Sequence, residues 1–197
     1  MNDQTASLTV PARRSFLTGT AKIVLSAGAI ALLGGRETLA QGYASGSAAA
    51  DANILNVALG LEHEAINAHQ LGAQSGLLQK PVLDIAVRFQ GDHKAHRDAL
   101  VAAIQKLGAT PVAEKSLDDY ARALKADTLK SQADVLNLAA RLELGATNAY
   151  LGVIPSFKDV QIAKIAARLA ADETMHWTTL NNALGRPLPS MALSFGA

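Results

Sequence analysis

The chain has 197 residues, of which 49% are hydrophobic and 4% aromatic, and it contains no cysteine. This length and apolar content suffice for one globular domain with its own core, and the many alanines and leucines favour an all-α fold. The formal net charge of +1 excludes the strong basic excess typical of nucleic-acid or anionic-membrane binding. The absence of cysteine excludes stabilisation by disulfides.

The N-terminal residues 1–40 have the pattern of an export signal rather than of a folded element. Arg13 and Arg14 precede a Ser-Phe-Leu tripeptide, and an apolar run extends from Ile23 to Leu33. Paired arginines in this context are typical of bacterial twin-arginine signals. We therefore expect the twin-arginine export machinery as a partner and the periplasm as the location. A membrane anchor is the alternative, but the apolar run is shorter than the roughly 20 residues that span a bilayer.

Removal of residues 1–40 leaves 14 basic and 15 acidic side chains, because that segment holds four of the 18 basic and two of the 17 acidic residues. The mature chain is thus close to neutral, and we expect neither a nucleic-acid partner nor membrane association for it. Residues 41–51 are rich in Gly, Ser and Ala and are expected to be a flexible lead-in. The sequence leaves a homo-oligomer open without indicating one.

Four stretches of the mature chain have helical periodicity, with apolar residues at steps of three and four. Asp51 and Ser131 are candidate N-caps of the first and the third stretch, and Gly108 is a suitable stop for the second. The predicted helices cover residues 52–74, 81–107, 131–152 and 159–184.

The lengths of the connections predict the topology. Short turns near residues 76–81 and 155–158 make two antiparallel hairpins, whereas the link over residues 108–130 is long enough to travel the length of a bundle. A four-helix bundle with one long crossover follows. The predicted domain covers residues 52–185, and residues 186–197 are a short tail that we expect to fold back over the bundle end.

The two hairpins also look like an internal duplication. Asp92-His93-x-x-His96 in the second helix has an echo 80 residues later in Asp172-Glu173-x-x-His176. One glutamate precedes each motif in a matching Leu-Glu context, at Glu62 and at Glu143. Each glutamate lies 34 or 33 residues before the last histidine of its motif, so the two become roughly level in an antiparallel hairpin.

These residues lie on the helix stripes that should face the interior. Buried carboxylates are costly unless they are paired, hydrogen-bonded or bound to a cation, and residues three apart share a helix face. We therefore predict a metal site for one or two divalent ions. Its candidate ligands are Glu62, His93, His96, Glu143, Glu173 and His176.

With this ligand set the mature chain resembles the ferritin-like superfamily of dimetal carboxylate proteins, in its twin-arginine-exported bacterial branch. The resemblance implies a ferritin-like four-helix bundle, with Glu62 and Glu143 as the single glutamates and Glu173 and His176 as one Glu-x-x-His pair. His96 matches the histidine of the other pair. His93 stands where the family has glutamate, which replaces an anionic oxygen ligand with a nitrogen ligand.

The resemblance implies iron as the first candidate metal, with manganese or zinc as alternatives, and an exported protein with oxidase, peroxide or metal-handling chemistry. The competing hypothesis is a non-catalytic bundle with a degenerate site, acting in stress protection or protein interaction. His69 and Tyr150 each follow their glutamate by seven residues and are candidates for hydrogen bonds to the metal-binding carboxylates. His63 and Glu64 are expected to be exposed.

The same repeat yields one further expectation. Asp92 and Asp172 occupy equivalent positions directly before the two motifs. We expect both to be surface residues that flank the site. The sequence names no substrate.

Overall fold

The computed structural model describes residues 48–195, and the predicted export signal lies outside them. The described part is all-α, without a strand, as the sequence predicts. We label the α-helices α1 to α5 in chain order. They are α1 (Ala48–Gln74), α2 (Lys80–Lys106), α3 (Leu117–Ala123), α4 (Gln132–Val153) and α5 (Val160–Ala183), with 3-10 turns at Ala126–Thr128 and Ile154–Ser156.

The four long helices form the two predicted hairpins. Helix α1 packs along α2, α4 packs along α5, and α1 also contacts α4, whereas the backbones of α2 and α5 lie farther apart and these two helices meet mainly through side chains. Gly76 lies near the start of the turn after α1 with φ +70°, and Gly108 follows α2 with φ +75°, a left-handed conformation that glycine adopts without penalty. The long link then crosses to α4, so the predicted bundle with one crossover is confirmed.

The start of α1 differs from the prediction. The helix already includes Ala48, so Asp51 is an interior residue and its assignment as N-cap is wrong, and the lead-in extends no further than residue 47. Asp51 is 3% exposed, and its carboxylate accepts a hydrogen bond from the backbone N–H of Asp159 at 3.4 Å. It therefore ties the first turn of α1 to the start of α5, which is a contact that local sequence does not reveal.

The crossover link covers one face of α1. Asn56 fixes it through two hydrogen bonds, donating to the carbonyl of Thr110 at 3.1 Å and accepting from the N–H of Val112 at 2.7 Å. His63 contacts the carbonyl of Val112 at 3.3 Å. His63 and Glu64 are both 6% exposed, so the expectation that they face solvent is wrong. The link buries them because it runs over α1 on the side away from the bundle centre.

The polar residues of the bundle centre lie between two apolar clusters. The larger cluster includes Leu59, Leu100 and Leu169, and the smaller includes Phe89 and Leu180. Among residues 48–195 no helix is both long and apolar enough to cross a membrane. The tail after α5 is largely exposed, but Phe195 returns to the bundle and meets Trp177 edge-to-face, with ring centroids 5.2 Å apart.

Candidate metal centre

The structure brings all six predicted ligands together in the bundle centre. Helix α1 supplies Glu62, α2 supplies His93 and His96, α4 supplies Glu143, and α5 supplies Glu173 and His176. The most exposed of the six, His96, retains 6% of its surface, and Glu173 retains none. Their convergence follows the predicted register, in which each glutamate lies level with the motif on its partner helix.

Four of these side chains form a first group around one point, comprising Glu62, His93, His96 and Glu173, with ligand atoms all within 4.8 Å of one another. His93 Nδ1 is 2.9 Å from Glu62 Oε2, and His96 Nδ1 is 3.1 Å from Glu173 Oε1. His96 Nδ1 also lies 3.6 Å from Glu62 Oε2. Such separations fit neighbouring ligands of one ion with metal–ligand bonds of about 2.0–2.2 Å.

A second group consists of His93, Glu143, Glu173 and His176, again within 4.8 Å. His93 Nε2 is 3.2 Å from Glu143 Oε1. His176 Nδ1 lies 3.5 Å from Glu143 Oε2 and 3.4 Å from Glu173 Oε2. The two groups share His93 and Glu173, so they are adjacent halves of one centre.

Three buried polar atoms of the second group have no hydrogen-bond partner within residues 48–195: Glu143 Oε2, Glu173 Oε2 and His176 Nδ1. Buried polar atoms are nearly always satisfied, and one left unsatisfied costs about 1–3 kcal/mol. These three atoms converge on one another, so a single bound cation would satisfy them all. The donor set of two nitrogens and two carboxylates in each group suits a divalent transition metal.

Two aspartates hold the outer edges of the histidine ligands. His96 Nε2 donates to Asp172 Oδ2 at 3.2 Å, and His176 Nε2 donates to Asp92 Oδ2 at 3.3 Å. Each bond joins α2 to α5, and each leaves Nδ1 directed at the centre. Both aspartate side chains are 44% exposed, so they are surface residues that flank the site, as expected, and each also orients a histidine of the centre. The matched positions of the two aspartates before the motifs indicate that they are equivalent. Which histidine each aspartate pairs with depends on how α2 and α5 face each other.

His69 and Tyr150 make the predicted contacts to carboxylates, and they do so across the repeat. His69 on α1 contacts Glu143 Oε1 at 3.1 Å, whereas Tyr150 on α4 donates its hydroxyl hydrogen bond to Glu62 Oε1. Both residues are buried, at 6% and 2% exposed. Each hairpin thus orients the single glutamate of the other hairpin, in the manner expected of groups that surround a metal-binding carboxylate.

Mutual ion pairing sets the protonation of the centre. Burial alone would raise the pKa of Glu62, but His93 and His96 lower it to about 2. Burial alone would lower the pKa of His96, but the carboxylates of Glu173 and Glu62 raise it to about 10. Burial alone would also lower the pKa of His176, but Glu143 and Glu173 raise it to about 9. Without a bound ion, these imidazoles carry positive charge near neutral pH.

Glu173 differs from the other two glutamates. Burial, together with repulsion from the carboxylates of Glu143 and Glu62, raises its pKa to about 7. The pKa of Glu143 is instead held well below its usual value, because the nearby imidazoles of His93, His176 and His69 outweigh the effect of burial. Glu173 is therefore the one of the three carboxylates that feels the strongest repulsion from its neighbours, in agreement with its place in both groups.

An open cleft between α2 and α5 leads to the centre. It has a volume of about 620 Å³, and Phe89 on its wall stacks on His176 with ring centroids 3.9 Å apart. Much of its lining consists of pairs of residues 80 positions apart, which is also the spacing of the two motifs in the sequence. Such pairs are Arg88 and Arg168, Asp92 and Asp172, and His96 and His176. The cleft gives a small molecule access from solvent to His96 and His176 without displacement of a helix.

Fold and centre together define a class of protein: a four-helix bundle whose interior holds a cluster of carboxylates and imidazoles drawn from all four long helices. Residues 50–186 match the family described as ferritin-like domain. Because this match spans more than half of the 197 residues, the chain belongs to the ferritin-like family.

The chain is also similar to a solved structure, a conserved hypothetical protein, Rv2844, from Mycobacterium tuberculosis. The two share 24% sequence identity, and the comparison has a TM-score of 0.58, covering 75% of this chain and 99% of that one. At this identity the likeness shows the shared fold alone. Among curated proteins, no match was found.

Proposed function

We propose that the mature chain is a metalloprotein that binds a pair of divalent ions in the bundle centre and uses them in redox or metal-handling chemistry. The observation that carries this proposal is the convergence of three unsatisfied buried atoms, Glu143 Oε2, Glu173 Oε2 and His176 Nδ1, on one point. Iron is the first candidate metal, and manganese and zinc are the alternatives. The bound ions would supply Lewis-acid or redox chemistry.

In this proposal, some residues would bind the ions and others would orient the binding carboxylates. Glu62 and Glu143 would each bind one ion, while Tyr150 and His69 hold these carboxylates in place. The open cleft beside Phe89 would admit a small oxidant such as oxygen or peroxide to the histidine edge of the centre.

A second candidate is a bundle that acts without metal, in stress protection or protein interaction. It is favoured by the charge balance of the centre, since three protonated imidazoles can neutralise three carboxylates without any ion. The three ion pairs, His93 with Glu62, His96 with Glu173 and His176 with Glu143, have N–O distances of 2.9–3.5 Å.

Metal stoichiometry separates the two candidates. The mature protein is purified without chelator, and its metal content is measured beside that of Glu143→Gln and of a matched control, Asp84→Asn. The control removes an exposed carboxylate of α2 that pairs with Lys80. We expect close to two ions per chain in wild type and control, and a sharp loss in Glu143→Gln. Wild-type protein that neither contains nor takes up divalent ions would favour the bundle without metal.

We further propose that the protein is exported to the periplasm by the twin-arginine route. Support comes from the sequence alone, through Arg13, Arg14 and the apolar run that follows them. This route carries folded proteins, so a metal inserted in the cytoplasm would travel with the chain.

A further inference from the structure

His93 differs from the other two histidines of the centre in how its ring nitrogens are used. His96 and His176 each commit Nε2 to an aspartate outside the centre, so only Nδ1 of each faces the candidate ions. Both nitrogens of His93 face inward instead. Nδ1 lies 2.9 Å from Glu62 Oε2, and Nε2 lies 3.2 Å from Glu143 Oε1. The ring thus stands between the two groups with one nitrogen directed into each.

Glu173 has the corresponding arrangement on the other side. Its Oε1 lies 3.1 Å from His96 Nδ1 in the first group, and its Oε2 lies 3.4 Å from His176 Nδ1 in the second. Glu173 and His93 are also the two residues that the groups share. One carboxylate and one imidazole therefore occupy the positions between the two candidate ions.

On this geometry, and resting on the proposed metal-binding function, we propose that His93 is a bridging ligand, with Nδ1 bound to the ion of the first group and Nε2 bound to the ion of the second. A ring bound through both nitrogens carries no N–H and is an imidazolate with one negative charge. The displaced protons leave to solvent. Cu(II) is a suitable probe ion for such a bridge, because imidazole nitrogen suits copper as it suits iron and zinc.

Charge counting supports the bridge independently. Two divalent ions bring four positive charges, whereas Glu62, Glu143 and Glu173 supply three negative ones. With a neutral His93, the six candidate ligands would be one negative charge short of the two ions, in a centre where His93 and Glu62 are each only 1% exposed. Uncompensated buried charge is strongly unfavourable. An imidazolate supplies the fourth negative charge, so His93 can replace the family's fourth carboxylate in charge as well as in position.

The separation of the two ions tests the bridge. Metal–nitrogen bonds of about 2.0–2.1 Å on either side of an imidazole ring place bridged ions about 6 Å apart, whereas ions in ordinary two-metal sites lie about 3.5–4 Å apart. The metal-free mature protein is titrated with Cu(II). Bound copper is counted by elemental analysis, and the separation is measured by electron paramagnetic resonance and X-ray absorption. We expect two copper ions per chain, magnetically coupled and about 6 Å apart.

Two variants sharpen the test. His93→Glu replaces the ring by a carboxylate, so we expect two ions to remain but to move to about 3.5–4 Å. His63→Gln removes a buried histidine outside both groups and should leave the copper count and the coupling as in wild type.

The outcomes separate the bridge from the metal-binding function on which it rests. A wild-type separation of about 3.5–4 Å, or a single copper ion per chain, would overturn the bridge and leave metal binding standing. Failure to bind copper or any other divalent ion would overturn both. The wild-type measurement decides without the variants, so a variant that does not fold leaves the test intact.

Discussion

Raising the pH should destabilise the metal-free protein, because folding holds protons on the histidines of the centre. His176 has its pKa raised from 6.5 to about 9 by neighbouring carboxylates that outweigh burial. A group whose folded pKa exceeds its unfolded pKa stabilises fully below the unfolded value, and this contribution disappears as pH rises through the folded value. For His176 that window runs from about pH 6.5 to pH 9, and for His96 it extends to about pH 10.

The magnitude follows from the shift. One unit of pKa difference corresponds to about 1.4 kcal/mol, so His176 alone contributes about 3 kcal/mol. His96 shares Glu173 with His176, so their contributions do not add. A loss of about 3 kcal/mol is a large part of the 5–15 kcal/mol typical of a folded domain. With an m-value of about 1–3 kcal/mol per M, the urea midpoint should fall by about 1–3 M.

The assay is urea unfolding of chelator-treated mature protein, followed by circular dichroism at several values between pH 6 and pH 10. A midpoint that stays constant or rises over this range would contradict the reasoning. His176→Gln should start from a lower stability at pH 6 and show a shallower decline, since one titrating group is gone. The control His63→Gln should keep the slope of wild type.

Three further predictions concern single contacts and export. Tyr150→Phe removes the hydroxyl that bonds to buried Glu62, and should cost about 1–3 kcal/mol in the free energy of unfolding, measured by urea denaturation. Ser131→Ala removes the N-cap of α4 and should cost about 1 kcal/mol by the same measurement, with no change in metal content. Replacing Arg13 and Arg14 together by lysine should leave unprocessed protein in the cytoplasm, as shown by cell fractionation, and normal export of that variant would refute the twin-arginine route.

The hairpins and the six ligands could be predicted because they depend on local rules. Periodicity fixes which face of a helix is buried, and a short turn fixes the register of an antiparallel pair. These rules predict that Glu62 and His96 lie level with each other, and in the structure Glu62 Oε2 is 3.6 Å from His96 Nδ1.

The remaining features depend on contacts between distant segments. His63 is buried because the crossover link passes over α1, and periodicity contains no information on that path. Asp92 reaches His176 only because α2 and α5 turn these faces toward each other across the cleft. The early start of α1 is a further such feature, since Asp51 lies inside that helix and contacts the start of α5.

The contacts that cross between the hairpins have a consequence for how the protein can be divided. Tyr150 is hydrogen-bonded to Glu62 and His69 to Glu143. The aspartate of each motif is hydrogen-bonded to the last histidine of the other motif. Neither hairpin forms the site alone, because the side chain that orients the glutamate of one hairpin belongs to the other hairpin. The bundle therefore behaves as two interlocking halves with one shared centre. If the chain were cleaved in the crossover link, we expect the two hairpins to associate through this centre, and an ion bound there to link them.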